Sequence, residues 1–182
     1  MTTKVDYVKS GGIPLVRAKD INIGYLTFDD GLQISKRQHQ ELTKYRKPKR
    51  DDILITKSGT LGICALVDTD VEFSVYESII VLQSNKNLCY SQFLLYLMRD
   101  ESNKDRMLGE TVGSSVKHLN LLNFRRLKVA LPQMEEQKKI ASILTSIDSK
   151  IEVKQQKLQQ TQNLKKSLMQ DLLTGKVRVK VN

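Results

Sequence analysis

Residues 135–173 read EEQKKIASILTSIDSKIEVKQQKLQQTQNLKKSLMQDLL and contain neither proline nor glycine. Strong helix formers dominate the stretch, which therefore predicts one continuous α-helix. At about 1.5 Å of rise per residue this helix would extend about 58 Å, far more than a small domain needs to cover itself. Thr174 and Gly175 follow, and glycine suits the left-handed conformation just past a helix end.

An apolar stripe runs along this predicted helix at alternating spacings of four and three residues. Its members are Ile140, Leu144, Ile147, Ile151, Leu158, Leu168 and Leu172. The same register places Lys154, Thr161 and Lys165 in the stripe, which weakens its middle. The pattern predicts a coiled coil with a specific partner helix, and a second copy of the chain is the expected partner. A helix folded back on its own domain is the alternative.

The sequence before Pro132 has a different character, with short β-type runs separated by Gly, Asp and Asn. Strands are predicted at 13–16, 53–56, 63–67 and 78–82, and helices at 35–45 and 91–99, each opening on a serine cap. The fold class is therefore α+β with mixed short strands and helices, followed by a long coiled-coil-forming helix. The predicted organisation is a globular domain over 1–131, the helix over 132–174 and a tail over 175–182.

Charge indicates a polyanionic partner. Thirty Lys and Arg against twenty Asp and Glu give a net charge of +10. Seven cations crowd into residues 36–50 against Glu41 alone. Each phosphate that a cation neutralises releases counterions, so the run favours nucleic acid, with a solvated face as the alternative. An acidic membrane surface is less favoured because no amphipathic helix with bulky aromatics accompanies the run. No segment is apolar enough to cross a bilayer, so we expect a soluble cytoplasmic protein.

Catalytic motifs are missing. The two histidines, at 39 and 118, lack ligand-spaced partners, so no metal site is predicted. Asp51-Asp52 faintly resembles a metal-dependent nuclease, but the position two before Lys57 holds apolar Ile55. Neither a phosphate-binding loop nor the Pro-Pro motif of an amino-methyltransferase is present. Cys64 and Cys89 are isolated, which predicts buried free thiols.

Four stretches carry a resemblance to a known family. They are GIPLVRAKDI at 12–21, DDILITKSGTLG at 51–62, LPQMEEQKKIASIL at 131–144 running on to Asp148, and LMQDLLTGKVR at 168–178. In this order they resemble the specificity subunits of type I restriction-modification systems. Members combine target recognition domains, each reading part of a DNA site, with long conserved helices that act as a spacer and help to dock the modification subunits.

The resemblance implies the function and the partners. Residues 1–131 would be one target recognition domain reading half of a bipartite target, and 132–174 one conserved helix. The expected partners are double-stranded DNA, methyltransferase subunits and, through them, the restriction subunit. The chain itself would catalyse nothing and hold no cofactor, since S-adenosylmethionine, ATP and Mg belong to partner subunits. A full subunit usually has two domains and two helices and a longer amino end with a tryptophan. The chain is therefore expected to be a half-subunit or a fragment.

Candidate DNA-contacting residues follow from chemistry and place, because base edges and phosphates are bound by cationic and polar side chains. They lie in the basic run, beside the glycine turn at 59–62 and after Gly113. They are Arg37, His39, Arg46, Lys47, Lys49, Arg50, Lys57, Ser58, Ser114, Ser115, Lys117 and His118. Two other functions remain open: an autonomous dimeric DNA-binding regulator, for which no helix-turn-helix or basic-zipper signature is found, and a coiled-coil scaffold, which would not explain the cationic excess.

Overall fold

A computed structural model describes residues 5–28, 31–58, 60–108, 119 and 121–180 of the chain. The chain divides into two compact units, Met1–Ala141 and Ser142–Asn182. The first unit holds all the strands of the described residues and the start of a long helix, and the second unit continues that helix. Among the described residues, no helix is both long and apolar enough to span a membrane.

The described residues of the first unit contain seven strands, some of only two residues, which form two separate sets. The four-stranded set has the order β1-β3-β2-β6. Its strands are β1 (Tyr7–Val8), β2 (Ile13–Val16), β3 (Gln33–Ile34) and β6 (Ser74–Val75). Strand β3 pairs antiparallel with both β1 and β2, whereas β6 runs parallel to β2. The parallel pairing joins segments far apart in the sequence, which no local pattern predicts.

The three-stranded set has β4 (Ile53–Thr56) between β5 (Cys64–Leu66) and β7 (Ile79–Leu82), all antiparallel. Ile53, Leu54 and Ile55 are each 0% exposed, because β4 is covered on both faces. Successive side chains of a strand point to opposite faces. Accordingly, Ile53 and Ile55 belong to one core cluster and Leu54 to the other. This explains why β4 reads as an unbroken apolar run.

In the described part of the first unit, four α-helices and a short 3-10 helix at Ala18–Asp20 accompany the strands and the start of the long helix. The four α-helices are α1 (Lys36–Leu42), α2 (Ser91–Arg99), α3 (Glu101–Leu108) and α4 (Leu121–Arg126). The predicted cap of α1 is confirmed, since the Ser35 hydroxyl accepts a hydrogen bond from the backbone N–H of Gln38 at 3.2 Å. The predicted cap of α2 is wrong. Its N-cap is Tyr90, and the Ser91 hydroxyl lies inside the first turn, 3.0 Å from the Ser84 hydroxyl.

The long helix, α5, runs over Met134–Leu173 and has 40 residues. The prediction of one continuous helix ending before a glycine is confirmed, and Gly175 takes a φ of 72°. Gln137 and Ala141 are buried in the first unit. The Gln137 amide donates to the carbonyls of Leu88 at 2.9 Å and Pro132 at 2.8 Å, and its oxygen accepts from the Tyr90 N–H at 2.8 Å. This one side chain therefore satisfies three backbone groups where α5 begins.

Candidate nucleic-acid interface

A cavity of about 680 Å³ lies along the basic run, and we call it the basic groove. Residues 45–50 form one side and residues 69–72 the other, with Gln83 also in the lining. Its cations are Arg46, Lys47, Lys49 and Arg50, four of the predicted DNA-contacting residues. The structure thus gathers these four side chains at one place. It also brings in Asp70 and Glu72, which the sequence reasoning did not assign to the site.

Arg50 and Asp70 form a two-pronged ion pair across the basic groove. Nε of Arg50 donates to Oδ1 of Asp70 at 2.9 Å, and a terminal guanidinium nitrogen donates to Oδ2 at 2.8 Å. This hydrogen bonding holds the pKa of Asp70 below its ordinary value and raises the pKa of Arg50. The geometry matches the fork that guanidinium also offers to a phosphate.

Glu72 accepts a hydrogen bond from the Lys47 ammonium and also contacts His39, whose Nε2 lies 3.0 Å from Glu72 Oε1. The Lys47 bond first, and the His39 bond second, lower the pKa of Glu72. Both carboxylates of the groove therefore stay ionised beside their cations at neutral pH.

His39, a predicted DNA-contacting residue, lies inside the first unit and is 6% exposed. Its Nδ1 is 2.8 Å from the hydroxyl of Ser74, so both ring nitrogens are engaged within the domain. In this position the ring supports Glu72 and offers no nitrogen to a base edge. The hydroxyl, imidazole and carboxylate of Ser74, His39 and Glu72 contact one another in the same order as in the Ser-His-acid triad of hydrolases. Ser74 is 0% exposed, however, so its hydroxyl cannot meet a substrate.

The other predicted cations of the basic run are exposed. Arg46 and Lys49 form no side-chain salt bridge with the described residues. Arg37 pairs with Glu41 at 3.3 Å one turn along α1, a surface contact that contributes little to stability. Arg46 and Lys49 are therefore the groove cations whose charge is available to a polyanion.

The Asp51-Asp52 pair belongs to the turn that leads into β4. Asp52 is buried and accepts hydrogen bonds from the Lys49 N–H at 3.0 Å and the Gln83 amide at 3.2 Å. Asp51 adopts a φ of 73° and pairs with Lys86 at 2.6 Å. Asp52 therefore fixes two residues that line the basic groove, whereas Asp51 and Lys86 line a separate cavity. The described residues contain no group of three or more His, Cys, Asp and Glu that could hold a metal ion.

Lys57 and Ser58 lie at the other end of β4, which alone spans about 13 Å. They line a separate cavity of about 450 Å³ with Tyr76, Glu77, Ser78, Leu119 and Leu121. The N–H of Leu119 donates to the Lys57 carbonyl at 3.3 Å. The structure therefore does not bring Lys57 and Ser58 into the basic groove. The remaining predicted contacts, Ser114, Ser115, Lys117 and His118, fall outside the described residues, as does Gly59.

The apolar stripe of α5 is exposed from Leu144 onward, with exposed fractions of 37% to 57% at its six later members. Ile140 differs, because it is half-buried and packs against the core of the first unit. Near the end of α5 the apolar surface widens beyond the predicted stripe. Leu164, Met169 and Leu173 join Leu168 and Leu172 around a shallow groove of about 480 Å³. The extra leucines and methionine were visible in the sequence, but they lie outside the four-and-three spacing that defined the stripe.

Both cysteines are free and buried, which confirms the prediction of buried thiols. Burial raises the pKa of the Cys64 thiol to about 12 and also raises the pKa of Cys89. Nucleophilic cysteines need the opposite shift. The two thiols therefore serve as small apolar residues of the core.

A family model described as the type I restriction modification DNA specificity domain matches residues 1–163. The match covers the basic groove, both core clusters and most of α5. The chain belongs to this family. The resemblance that the four sequence motifs carry is thereby confirmed.

Individual members of the specificity family align with most of the chain. The specificity subunit of type I restriction enzyme MjaVIII from Methanocaldococcus jannaschii is 35% identical over 124 residues, covering 67% of this chain and 29% of that protein. The EcoKI specificity subunit from Escherichia coli is 23% identical over 181 residues, covering 97% of this chain and 38% of that protein. The chain thus spans about a third of the length of these specificity subunits.

Solved structures confirm the α+β fold with its long helix. A chain from a structure on complex assembly and conformational transition of the type I R-M system superposes with a TM-score of 0.68 at 17% identity, covering 90% of this chain and 38% of that one. The HsdS subunit from Thermoanaerobacter tengcongensis gives a TM-score of 0.66 at 16% identity, covering 93% and 45%. These likenesses concern the fold of the specificity family.

Proposed function

We propose that the chain is one target recognition domain with one spacer helix of a type I specificity subunit, and that it reads one half of a bipartite DNA target. The observation that carries this proposal is the family match, which runs without a break from the globular unit into α5. A recognition domain alone would not need the helix, and a scaffold alone would not need the cationic groove. The proposed role is DNA recognition without catalysis.

Phosphate contacts would come first from Arg46 and Lys49, which form no salt bridge with the residues that the structure describes. Such contacts position a protein on the duplex without reading its sequence. Lys57 and Ser58, at the far end of β4, would form a second contact area. Two areas separated by the length of a strand would let the domain touch more than one point along the duplex.

The exposed stripe of α5 supports self-association. Apolar side chains at the four-and-three spacing of a coiled coil become well buried only when a second helix packs against them. Two copies of the chain offer the same apolar stripe to each other. Each recognition domain precedes its helix in the chain. Antiparallel helices related by a two-fold axis would therefore carry the two domains at opposite ends. Identical readers in that arrangement require an inverted repeat with a fixed spacer, so the target would be a split palindrome.

Chemistry would reside in partner subunits. The dimer would dock methyltransferase subunits, which bind S-adenosylmethionine, and through them the restriction subunit with its ATP and Mg. The chain would need no cofactor of its own and would act in the cytoplasm. It would supply the address on the DNA, and the partners would supply methyl transfer or cleavage.

Reconstitution tests this assignment. The purified chain, its cognate modification subunits and radiolabelled S-adenosylmethionine are incubated with duplex DNA, and methylated adenines are mapped. We expect methylation only when chain and modification subunits are both present, at split palindromic sites. Methylation or cleavage by the chain alone, or assembly of modification subunits that is indifferent to the chain, would contradict the proposal.

A salt titration tests the groove. Replacing Arg46 and Lys49 by Ala should make the slope of log affinity against log salt shallower by up to about 0.9 per lost phosphate contact, for any duplex. The matched control replaces two exposed helix cations, Lys139 and Lys166, by Ala and removes the same charge. An equal effect of both variants would show that the groove acts only through net charge and makes no phosphate contact.

A further inference from the structure

We propose that Asp70 and Glu72 act as internal counter-ions of the basic groove, which compete with DNA phosphates for Arg50 and Lys47 and so limit sequence-independent DNA binding. This inference rests on the proposed function, because it concerns the strength of DNA binding in the same groove. It assigns roles to two acids on residues 69–72, a segment that none of the four family motifs covers. It also divides the four groove cations into an available pair and an occupied pair.

The Arg50–Asp70 contact has the form of an occupied phosphate site. Both donors on one edge of the guanidinium point at carboxylate oxygens, at 2.9 and 2.8 Å. A phosphate would be bound through the same fork. A phosphate that approaches this edge of Arg50 must therefore displace Asp70, while Arg46 and Lys49 in the same groove are paired with no acid of the described part of the chain.

Glu72 is paired with Lys47, and its carboxylate is held in place more firmly than that of Asp70. Its Oε1 also contacts Nε2 of His39 at 3.0 Å, and His39 is held at its other nitrogen by Ser74 at 2.8 Å. Both His39 and Ser74 are buried. A chain of hydrogen bonds thus connects the carboxylate to the core of the domain. Fully exposed glutamates swing away from a cation easily, whereas this glutamate is held beside Lys47.

The consequence follows from charge balance. A free cation that binds a phosphate releases the counterions condensed on the DNA, and this release drives sequence-independent binding. A cation that is already paired must give up its acid, and the freed carboxylate then faces the DNA and recruits a cation from solution. The pair itself contributes little to stability. Its effect is to remove the net counterion release that Arg50 and Lys47 would otherwise provide.

The test is a salt titration of the full chain with a random-sequence duplex, comparing the wild type with the double variant Asp70→Asn and Glu72→Gln. Both substitutions keep the side-chain shape and remove the charge. We expect the slope of log affinity against log salt to steepen by up to about 1.8, which is about 0.9 for each liberated cation. The affinity gap should then widen up to about eightfold per liberated cation for each tenfold fall in salt.

Two further variants decide what the result means. The control replaces Glu136 and Glu152 on α5 by Gln, which changes the charge by the same amount outside the groove at two exposed acids that form no salt bridge with the described residues. Replacing Lys47 and Arg50 by Ala should hardly change the slope in the wild type, but should cancel the gain in the Asp70→Asn, Glu72→Gln background. Equal slopes for the groove variant and its control, or a gain that survives the loss of Lys47 and Arg50, would overturn the inference while leaving DNA recognition intact. If no variant binds DNA even at low salt, the proposed function fails, and the inference fails with it.

Discussion

The two units of the chain solve the problem of apolar surface in opposite ways. In the first unit, Ile53, Leu54 and Ile55 of β4 have no accessible surface, because strands and helices cover both faces. In the second unit, Leu158 is 57% exposed and Leu168 is 49% exposed, although both are as apolar as the strand residues. The same types of residue are therefore buried in the first unit and exposed to solvent in the second.

The difference teaches that the two units carry different kinds of information. The first unit buries its own apolar side chains and presents a defined surface, the basic groove. The long helix leaves an apolar stripe in water, and we propose this stripe as the surface that binds a partner helix. The boundary between the two regimes falls inside α5, just after Gln137 and Ala141, the buried residues of its first turns.

The largest expected effect is on self-association. Replacing Leu144, Ile147 and Ile151 by Asp places charges in the apolar stripe of α5. In the dimer each charge would be buried without a partner, at a cost of several kcal/mol. The dissociation constant of the dimer should rise by a factor of roughly 1,000 or more. Sedimentation equilibrium measures this change directly.

The matched control places three Asp on the opposite side of α5, at Ser146, Val153 and Gln160, all exposed. These substitutions add the same charge and should leave the dimer intact. A wild-type chain that sediments as a monomer at micromolar concentration would erase the proposed contrast between the two units, because the stripe would then have no partner of its own kind.

The next effect concerns the core of the first unit. Leu95→Ala on α2 removes a side chain that is 1% exposed and should lower the free energy of unfolding by about 2–5 kcal/mol. Leu158→Ala on α5 makes the same chemical change at an exposed site and should change it by less than about 0.5 kcal/mol. Urea titrations would be carried out in the background of the triple Asp variant at Leu144, Ile147 and Ile151, which we expect to be monomeric, so that dimerisation does not contribute. All six tyrosines precede α5, so their fluorescence reports on the first unit.

The boundary between the buried start of α5 and its exposed continuation can be tested at Gln137. Gln137→Ala deprives the Tyr90 N–H and the carbonyls of Leu88 and Pro132 of their partner, which should lower the free energy of unfolding by about 1–3 kcal/mol. The exposed Gln155→Ala on the same helix is the control and should leave the tyrosine transition unchanged. If both variants behave alike, the buried amide does not stabilise the start of α5.

The smallest effect is the pH response of the buried thiol. The pKa of Cys64 is raised from an ordinary value of 9.0 to about 12 in the folded chain. A raised pKa stabilises the fold below the unfolded value, and this contribution is lost as pH rises toward the folded value. Between pH 8 and 9.5 the wild type should lose up to about 1 kcal/mol of stability relative to Cys64→Ala. Urea midpoints of the two proteins, measured across this range, give the difference. Parallel pH profiles would contradict the burial of the thiol.

Local patterns predicted the elements that depend on neighbouring residues. The long helix was expected over 135–173 and is observed over Met134–Leu173, because helix propensity and a missing breaker act within a few residues. Strands β2 and β4 were predicted with their observed bounds. Strands β1, β3 and β6 were missed, because each has only two residues and exists through its pairing with distant segments. Helices α3 and α4 were missed as well, the first having a weakly amphipathic, mostly polar sequence.

The candidate site divides in the same way. The sequence by itself determined that a cationic run lies before an apolar strand and that a long helix carries an unsatisfied stripe, since both are properties of consecutive residues. Only the tertiary structure decided which cations are available, because Asp70 lies twenty positions from Arg50 and reaches it only when the two segments fold together. The same holds for His39, which composition places among the DNA contacts and packing places in the core. The number of charges can be counted along a chain, but which charges pair depends on distances that are set only when the chain folds.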